Sequence, residues 1–402
     1  MPPRRRQADA LPPRRWPAIL LVLAGLVMGT ALWAYAPSLP PDTLIERYGN
    51  AESQFIDIGG ARAHVRDEGN KDGIPIVLIH GSMGSLHMWE GWVAQLKGRA
   101  RLISVDLPGH GLTGDWPREE YTIEAYADFI EVLVDTLHLD RFALVGHSMG
   151  GAVAWRFAAT RPDRVSQLIL VDSSGFPRDG GTVPLPTRLA RLPVIGDLGI
   201  WFKPDFLVKR SLTEVYADPA MVTPERVRRY AELQRFPGNR HATLVRARTQ
   251  EPLDPSVLKR LDVPTLILWG AEDKWVPRAD AFRFQSNIKG ARLALFDKLG
   301  HNPMEEDPAA TAKVVDGFLP AALTPRAEPA PPRAEPSEVG ADPPADNLPE
   351  PAAKTDDTQT PGEQKPSDNN EKKTEAAPAL TAPTPSAGDQ QQVVAPATAP
   401  KQ

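Results

Sequence analysis

The stretch that most constrains this chain is RFALVGHSMGGAVAWRFAA, at residues 141–159, where strand-forming residues turn directly into a helical pattern. Gly146 and Gly150 flank Ser148 at this junction. Glycine costs stability inside a strand or a helix, so both positions must need small residues. A G-x-S-x-G motif between a buried strand and a helix is typical of a sharp turn that exposes the serine hydroxyl. We therefore predict that Ser148 is a nucleophile.

Apolar runs alternate with helical patterns on both sides of this motif. An antiparallel pair is predicted at 53–60 and 61–69, and continuous apolar strands follow at 74–81, 101–109, 141–148, 165–174, 263–273 and 291–300. Helical spacing is clearest in TIEAYADFIEVLVDTLHL and in EDPAATAKVVDGFL. Such alternation predicts a mostly parallel sheet with helices on both faces. Ligands of these sheets bind beyond the carboxyl ends of the strands.

The alternation is interrupted between two predicted core strands by residues 175–257, which are too many for an ordinary connection. Because this segment contains several helix-like pieces, we predict a helical cap over the strand ends. The core that contains the sheet would then comprise 45–174 and 258–319. Five aromatic residues of the cap either line a pocket or form the cap's own core: Trp201, Phe202, Phe206, Tyr216 and Phe236.

A serine hydroxyl needs a base, and the base needs a carboxylate that holds its tautomer. Of the eight histidines, His301 follows the last predicted strand, at the sheet edge that carries Ser148. Asp273 follows the preceding strand, and Asp172 follows the one before that. The chain order Ser, Asp, His and the strand-end loop both fit Asp273, which we prefer to Asp172 as the third member.

The tetrahedral intermediate needs two preorganised N–H donors. We expect one from the backbone of Met149, at the start of the helix after the nucleophile. The second is expected from Ser82 in HGSMGS, although this loop can also be interpreted as a plain turn.

The N-terminus combines a basic segment, 1–16, with an uncharged apolar one, 17–36. Five arginines before the apolar run and none directly after it predict a signal anchor with a cytoplasmic N-terminus and the remaining chain outside. The alternative is a signal peptide cleaved after Ala34-Tyr35-Ala36. Residues 37–44 then form a short linker. This predicts a single-pass protein of the cytoplasmic membrane, with its catalytic domain on the periplasmic or extracellular side.

The C-terminal segment, 320–402, is rich in Pro, Ala and acidic residues, and its composition predicts a disordered tail whose partner is unknown. The chain carries 46 basic and 51 acidic residues, a balance that argues against a nucleic-acid partner. It contains no cysteine, which excludes disulfides, a thiol nucleophile and Cys-ligated zinc. The predicted chemistry requires neither metal nor organic cofactor.

Five motifs together resemble the α/β-hydrolase superfamily: HGSMGSLHMWEGW, DLPGHG, GHSMGG, GAEDKWVP and GHNPMEEDP. The sequence is similar to the cap-bearing branch, which includes meta-cleavage-product C–C hydrolases, haloperoxidase-type esterases and epoxide hydrolases. The resemblance implies an eight-stranded sheet and assigns Ser148, Asp273 and His301 as a triad. The sequence departs from the epoxide hydrolases, whose nucleophile is Asp, and from the C–C hydrolases at His147, where those usually have Asn.

We therefore expect acyl transfer on a carboxylic ester or thioester of a small, fairly apolar substrate. C–C bond hydrolysis, perhydrolysis and epoxide hydrolysis are alternatives on the same fold. A membrane-tethered binding module without catalysis is the alternative of another class, because a fold alone does not establish activity.

Overall fold

A computed structural model of the protein describes residues 16–177, 190–202, 205–249 and 252–319. The predicted tail, 320–402, and residues 1–15 of the basic N-terminal segment lie outside the described residues. The eight strands are β1 (Ser53–Ile58), β2 (Ala61–Gly69), β3 (Ile74–Ile79), β4 (Ala100–Val105), β5 (Phe142–His147), β6 (Val165–Val171), β7 (Thr265–Gly270) and β8 (Arg292–Phe296).

The described helices are numbered in chain order. They are α1 (Trp16–Ala34), α2 (Pro41–Tyr48), α3 (Glu90–Leu96), α4 (Ile123–Thr136), α5 (Met149–Thr160), α6 (Ile195–Gly199), α7 (Asp205–Val215), α8 (Pro224–Leu233), α9 (Asn239–Thr249), α10 (Ala279–Asn287), α11 (Pro303–Glu306) and α12 (Pro308–Phe318).

The strands form one sheet in the order β1-β2-β4-β3-β5-β6-β7-β8. Strand β2 pairs antiparallel with β1 and β4, and the remaining neighbours pair parallel. This confirms the predicted α/β fold with an eight-stranded, mostly parallel sheet. The predicted strands that correspond to β4, β6, β7 and β8 extend three or four residues too far at their carboxyl ends, because the residues that follow each strand form loops.

Hydrophobic side chains pack on both faces of the sheet. In β3, Val77 and Ile79 join the cluster that includes residues of α4 and α5, whereas Ile76 and Leu78 join the cluster of α3 and α12. Alternate residues of a strand point to opposite faces, so a continuous apolar run fills both layers. Each fully buried Leu, Ile or Val side chain contributes roughly 1.5–3 kcal/mol relative to exposure. This two-sided core holds the carboxyl ends of the strands in fixed relative positions.

Helices α6 to α9 lie within the segment predicted as a cap. Tyr216 is buried in a cluster made by α7, α8 and the connection between them, and Phe236 packs against Leu44 of α2. These two aromatic residues therefore form packed clusters rather than an open pocket wall. Trp201 is exposed, Phe202 is half-buried, and the side chain of Phe206 lies outside the described residues.

The N-terminal helix α1 presents apolar side chains to its surroundings: Leu20, Leu26 and Leu32 are each more than 60% exposed. In the part of the chain that the structure describes, no helix combines the length and the hydropathy that crossing a bilayer requires. The predicted transmembrane span is therefore not confirmed. After α1, the Ala36 N–H donates to the Trp201 carbonyl and the Leu39 N–H donates to the Arg235 carbonyl, both at 2.9 Å. The segment after α1 is thus bonded to the predicted cap.

Candidate active site

The turn between β5 and α5 holds Ser148 in a strained conformation. Its φ is +50° and its ψ is −116°, in a region that residues other than glycine rarely adopt. A side chain on Gly146 would place its Cβ 2.2 Å from the Gly150 carbonyl oxygen, and one on Gly150 would lie 2.4 Å from the His80 carbonyl oxygen. The two glycines are therefore required for clearance between strand and helix, as predicted. The serine hydroxyl stands at the N-terminus of α5.

Three sequence-distant side chains form one hydrogen-bonded relay. The Ser148 Oγ lies 3.0 Å from Nε2 of His301, and the His301 Nδ1 lies 2.7 Å from Oδ2 of Asp273. The other oxygen of Asp273 accepts hydrogen bonds from the backbone N–H groups of Trp275, at 2.7 Å, and Val276, at 3.0 Å. The structure thus brings together all three residues predicted as the triad.

The loop that carries His301 is fixed from both the cap and the core. The His301 N–H donates to the carbonyl of Val215, the last residue of α7, at 2.8 Å. A Cβ on Gly300 would lie 2.5 Å from that same carbonyl oxygen, which explains a glycine there. On the core side, the His147 Nε2 lies 2.8 Å from the His301 carbonyl oxygen. Burial holds the pKa of His147 well below its usual range, so a neutral ring donates this bond.

The predicted oxyanion loop passes directly over the nucleophile. A Cβ on Gly81 would lie 2.5 Å from Nδ1 of His147 and 3.1 Å from Cβ of Ser148. Met83, two residues later, has a φ of +62°, so the loop reverses sharply here. Only a residue without a side chain lets this backbone come so near Ser148. The loop position agrees with N–H donors from Ser82 and Met149, which stay predictions.

Asp172, the alternative acid, lies beside the relay without joining it. Its Oδ1 accepts a hydrogen bond from the Gly270 N–H at 3.0 Å, and it is fully buried. The hydrogen bond of His301 goes to Asp273 instead. Burial and the neighbouring charge of Asp273 raise the pKa of Asp172 well above its usual range.

Two charged residues near the relay, Arg246 and Glu305, were not predicted from the sequence to belong to the site. Arg246 of α9 donates to the Ser82 hydroxyl at 2.6 Å and lies 2.7 Å from Nε2 of His110, so it joins the cap to the predicted oxyanion loop. Glu305, buried four residues after His301, accepts hydrogen bonds from Tyr216, Tyr230 and Asn302. It joins the cap to the loop of His301. Nothing distinguishes Arg246 from its neighbouring arginines in sequence, whereas Glu305 could be suspected from its place beside His301.

A second Ser-His-Asp relay lies elsewhere in the core. The His64 ring contacts the Ser53 Oγ at 2.8 Å and the Asp106 Oδ2 at 2.7 Å. Burial by itself would raise the pKa of Asp106, but its hydrogen bond with His64 and the nearby histidine charges lower it. Ser53 is the first residue of β1, and its hydroxyl also accepts the Asn50 N–H at 3.0 Å. It has neither the positive φ nor the helix terminus that Ser148 has.

The family was determined by comparison with known proteins. The model of the alpha/beta hydrolase fold family matches residues 74–308, more than half of the chain. The chain belongs to the α/β-hydrolase family. The matched segment contains Ser148, Asp273 and His301, so the relay lies entirely within the α/β-hydrolase region.

The α/β-hydrolases that are similar to this chain have names that state different activities or none. An uncharacterized protein of Mycobacterium tuberculosis is 31% identical over 66% of this chain and 80% of its own length. The 2-hydroxy-6-oxo-2,4-heptadienoate hydrolase of Pseudomonas putida is 28% identical over 68% of this chain and 98% of its own. Among solved structures, a thermophilic esterase from Thermogutta terrifontis is 26% identical, with a TM-score of 0.57, over 68% of this chain and 98% of its own. Hydrolysis is common to the two named relatives.

Proposed function

We propose that the protein is a serine hydrolase that cleaves a carboxylic ester or thioester through an acyl-enzyme. The observation that carries this proposal is the unbroken relay from the Ser148 hydroxyl through His301 to Asp273. A hydroxyl in this position can lose its proton to Nε2 while it attacks a carbonyl carbon.

The reaction follows from the relay and the backbone around it. His301 takes the proton of Ser148, and the new C–O bond gives a tetrahedral intermediate. The negatively charged Asp273 stabilises the imidazolium, and the N–H groups of Ser82 and Met149 hold the oxyanion. His301 then donates its proton to the leaving group, and a water molecule, activated by the same ring, releases the acid.

Labelling with a fluorophosphonate tests the nucleophile directly. We expect the wild-type protein to react at Ser148 and Ser148→Ala to lose both labelling and turnover of p-nitrophenyl esters. Ser53→Ala is the matched control, because it removes the hydroxyl of the second Ser-His-Asp relay and is expected to label as the wild type does. Labelling or turnover that persists in Ser148→Ala would overturn the assignment of the nucleophile. Absence of labelling from the intact wild-type protein would instead favour a binding module.

The composition of the predicted cap bears on the substrate class. Apolar residues are frequent in the segment 175–257, which supports a fairly apolar acid. C–C bond hydrolysis is the second candidate, favoured by the name of the Pseudomonas putida relative. We propose the ester because His147 replaces the Asn expected for C–C hydrolases. A panel of p-nitrophenyl esters, a dienone carboxylate, an epoxide and hydrogen peroxide with an acid separates these activities. Turnover of the dienone alone would reject the ester.

We further propose that α1 attaches the protein to a membrane and that the hydrolase domain lies on the extracytoplasmic side. The support is a 19-residue helix without a charged residue, whose leucines are exposed. After washing with alkaline carbonate, the full chain should stay in the membrane fraction. The double variant Leu23→Arg/Leu26→Arg should be released into the soluble fraction, because each charged side chain costs about 2.5–3.5 kcal/mol at the centre of a bilayer. Release of the wild type, or protection of the domain from protease added to spheroplasts, would contradict the proposal.

A further inference from the structure

Asp172 has a buried oxygen that the described structure leaves without a partner. The residue follows β6 with a φ of +41°, and its side chain is fully buried. Its Oδ1 accepts the Gly270 N–H, but no hydrogen bond to its Oδ2 occurs among the described residues. A buried carboxylate oxygen without a donor is unfavourable, so this oxygen needs an explanation.

The nearest functional groups are those of the relay. One oxygen of Asp172, one of Asp273 and a ring nitrogen of His301 all lie within 4.8 Å of one another. Asp273 accepts hydrogen bonds from two backbone N–H groups and from His301. An ionised carboxylate has room for about four such bonds, so it can accept one more. Two negative carboxylates this close in the interior would repel each other strongly.

We propose that Asp172 is a positioning residue that keeps its proton while the enzyme works and donates an Oδ2–H hydrogen bond to the carboxylate of Asp273. The orphaned oxygen then becomes a donor, and the relay carries one negative charge instead of two. The additional hydrogen bond from Asp172 restrains the Asp273 carboxylate, which keeps its Oδ2 directed at His301. The catalytic part of this inference rests on the proposed serine hydrolase function.

The charges around Asp172 agree with a neutral carboxyl group. Burial is the largest effect on the pKa of Asp172, followed by the charge of Asp273, and Glu306 acts in the same direction; all three raise it. His301, on the loop before α11, is the remaining titratable group of the cluster. The Gly270 N–H hydrogen bond acts in the opposite direction.

A bound cation is the competing explanation for two carboxylates beside a histidine. The Nδ1 of His301 and the Oδ2 of Asp273 lie 2.7 Å apart and share a proton, so a cation bound through both atoms would displace that proton. A ligating His301 would lose that hydrogen bond. Addition of metal ions to the protein tests this explanation.

Thermal unfolding of the wild type and of Asp172→Asn tests whether Asp172 is protonated in the folded protein, and this measurement does not depend on enzyme activity. Asparagine imitates the protonated acid, since its amide donates to Asp273 and its oxygen accepts from Gly270. A raised folded-state pKa gives the Asp172 carboxyl a stabilising contribution that the wild type loses as pH rises above about 4, because only the unfolded chain then releases this proton. We expect similar Tm values at pH 4 and a Tm advantage for Asp172→Asn that grows toward pH 8. An advantage that is absent or that shrinks with pH would overturn the inference.

Infrared difference spectroscopy at pH 8 gives a second readout that requires no turnover. The wild type should show a protonated carboxyl C=O band that Asp172→Asn lacks, and absence of that band would reject the proposal. A Tm that rises on addition of Zn²⁺ or Ca²⁺ to wild type, but not to Asp172→Asn, would reject it in favour of a cation.

Steady-state kinetics then distinguish a positioning role of Asp172 from a purely structural one, through kcat and its pH profile. We expect Asp172→Asn to keep kcat and the acidic limb of its pH profile, whereas Asp172→Ala, which cannot donate to Asp273, should lose about tenfold in kcat. If Asp172 were ionised, Asp172→Asn would remove a negative charge near His301 and shift the acidic limb to lower pH. If the wild type hydrolyses no ester, the proposed serine hydrolase function is rejected. The thermal and infrared measurements still show whether Asp172 is protonated in the folded protein.

Discussion

At the scale of single residues, backbone conformation rather than the relay distinguishes Ser148, the proposed nucleophile, from Ser53. Ser148 and Ser53 both contact a histidine that contacts an aspartate, at closely similar distances. Only Ser148 combines a positive φ with the start of a helix, where backbone N–H groups are free to hold an anion. We therefore expect the Ser53 relay to be inactive, because an oxyanion needs backbone donors in addition to the three side chains.

Gly81 gives a residue-scale prediction about those donors. A methyl group at this position would meet His147 and Ser148, so Gly81→Ala must push the loop of Ser82 away from the nucleophile. We expect kcat to fall by about 10²-fold, the loss typical of a missing oxyanion donor, with a smaller change in KM. Steady-state hydrolysis of a p-nitrophenyl ester measures both.

The matched control for this prediction is Gly98→Ala, because a Cβ there meets no atom within 4 Å. It should leave kcat and KM as in the wild type. An equal loss of kcat in both variants would show that the effect of Gly81→Ala is not local to the oxyanion loop.

At the scale of elements, a glycine in a helix has a different role in α5 and in α12. In α5, a Cβ on Gly151 would lie 2.3 Å from the Ser173 Oγ, so the helix approaches the loop after β6 too closely for any side chain. In α12, Gly317 faces open space. The first glycine is required by packing, and the second only lowers helix propensity.

This contrast predicts opposite effects of the same substitution. Gly317→Ala should raise the free energy of unfolding by about 0.5–1 kcal/mol, since alanine loses less backbone entropy in a helix. Gly151→Ala should lower it, because either Ser173 or α5 must move. Urea unfolding of both variants measures the change. A destabilised Gly317→Ala protein would contradict the assignment of that position to open space.

At the scale of the whole molecule, three buried neutral histidines surround the candidate site. Burial is the largest cause that lowers the pKa of His80, His110 and His147 below the usual value. The folded protein therefore binds fewer protons than the unfolded chain at mildly acidic pH. Stability that is present above the unfolded-state pKa, about 6.5, is lost as pH falls below it.

We therefore expect Tm to fall between pH 7 and pH 5. Each of the three histidines contributes up to about 1.4 kcal/mol per pH unit below 6.5. The raised pKa values of Asp172 and Glu306 act in the opposite direction. The decrease in Tm between pH 7 and pH 5 should consequently be steeper in Asp172→Asn, because this variant lacks one of the two carboxyl groups that stabilise the folded protein as pH falls. Differential scanning calorimetry at several pH values checks this, and a Tm that rises toward pH 5 in that variant would refute it.

The sequence predicted the fold well because its evidence is local. A strand buried on both faces must be apolar throughout, and a nucleophile on a tight turn must be flanked by glycine, so both leave a pattern within a few residues. The ends of the strands were predicted less well. Near Asp172 the chain leaves β6 three residues earlier than predicted, and the next residues, Asp172 and Ser173, are buried in a loop.

What the sequence determined by itself was the sheet, the order of Ser148, Asp273 and His301, and their common edge. The tertiary structure alone decided which neighbours these residues meet: Arg246 over Ser82, Glu305 between cap and loop, and Asp172 beside Asp273. The physical reason is that hydrogen bonds, burial and pKa shifts depend on groups brought together from distant parts of the chain. A local sequence pattern does not indicate contacts between distant segments. A carboxyl group that keeps its proton can therefore be inferred only from the folded molecule.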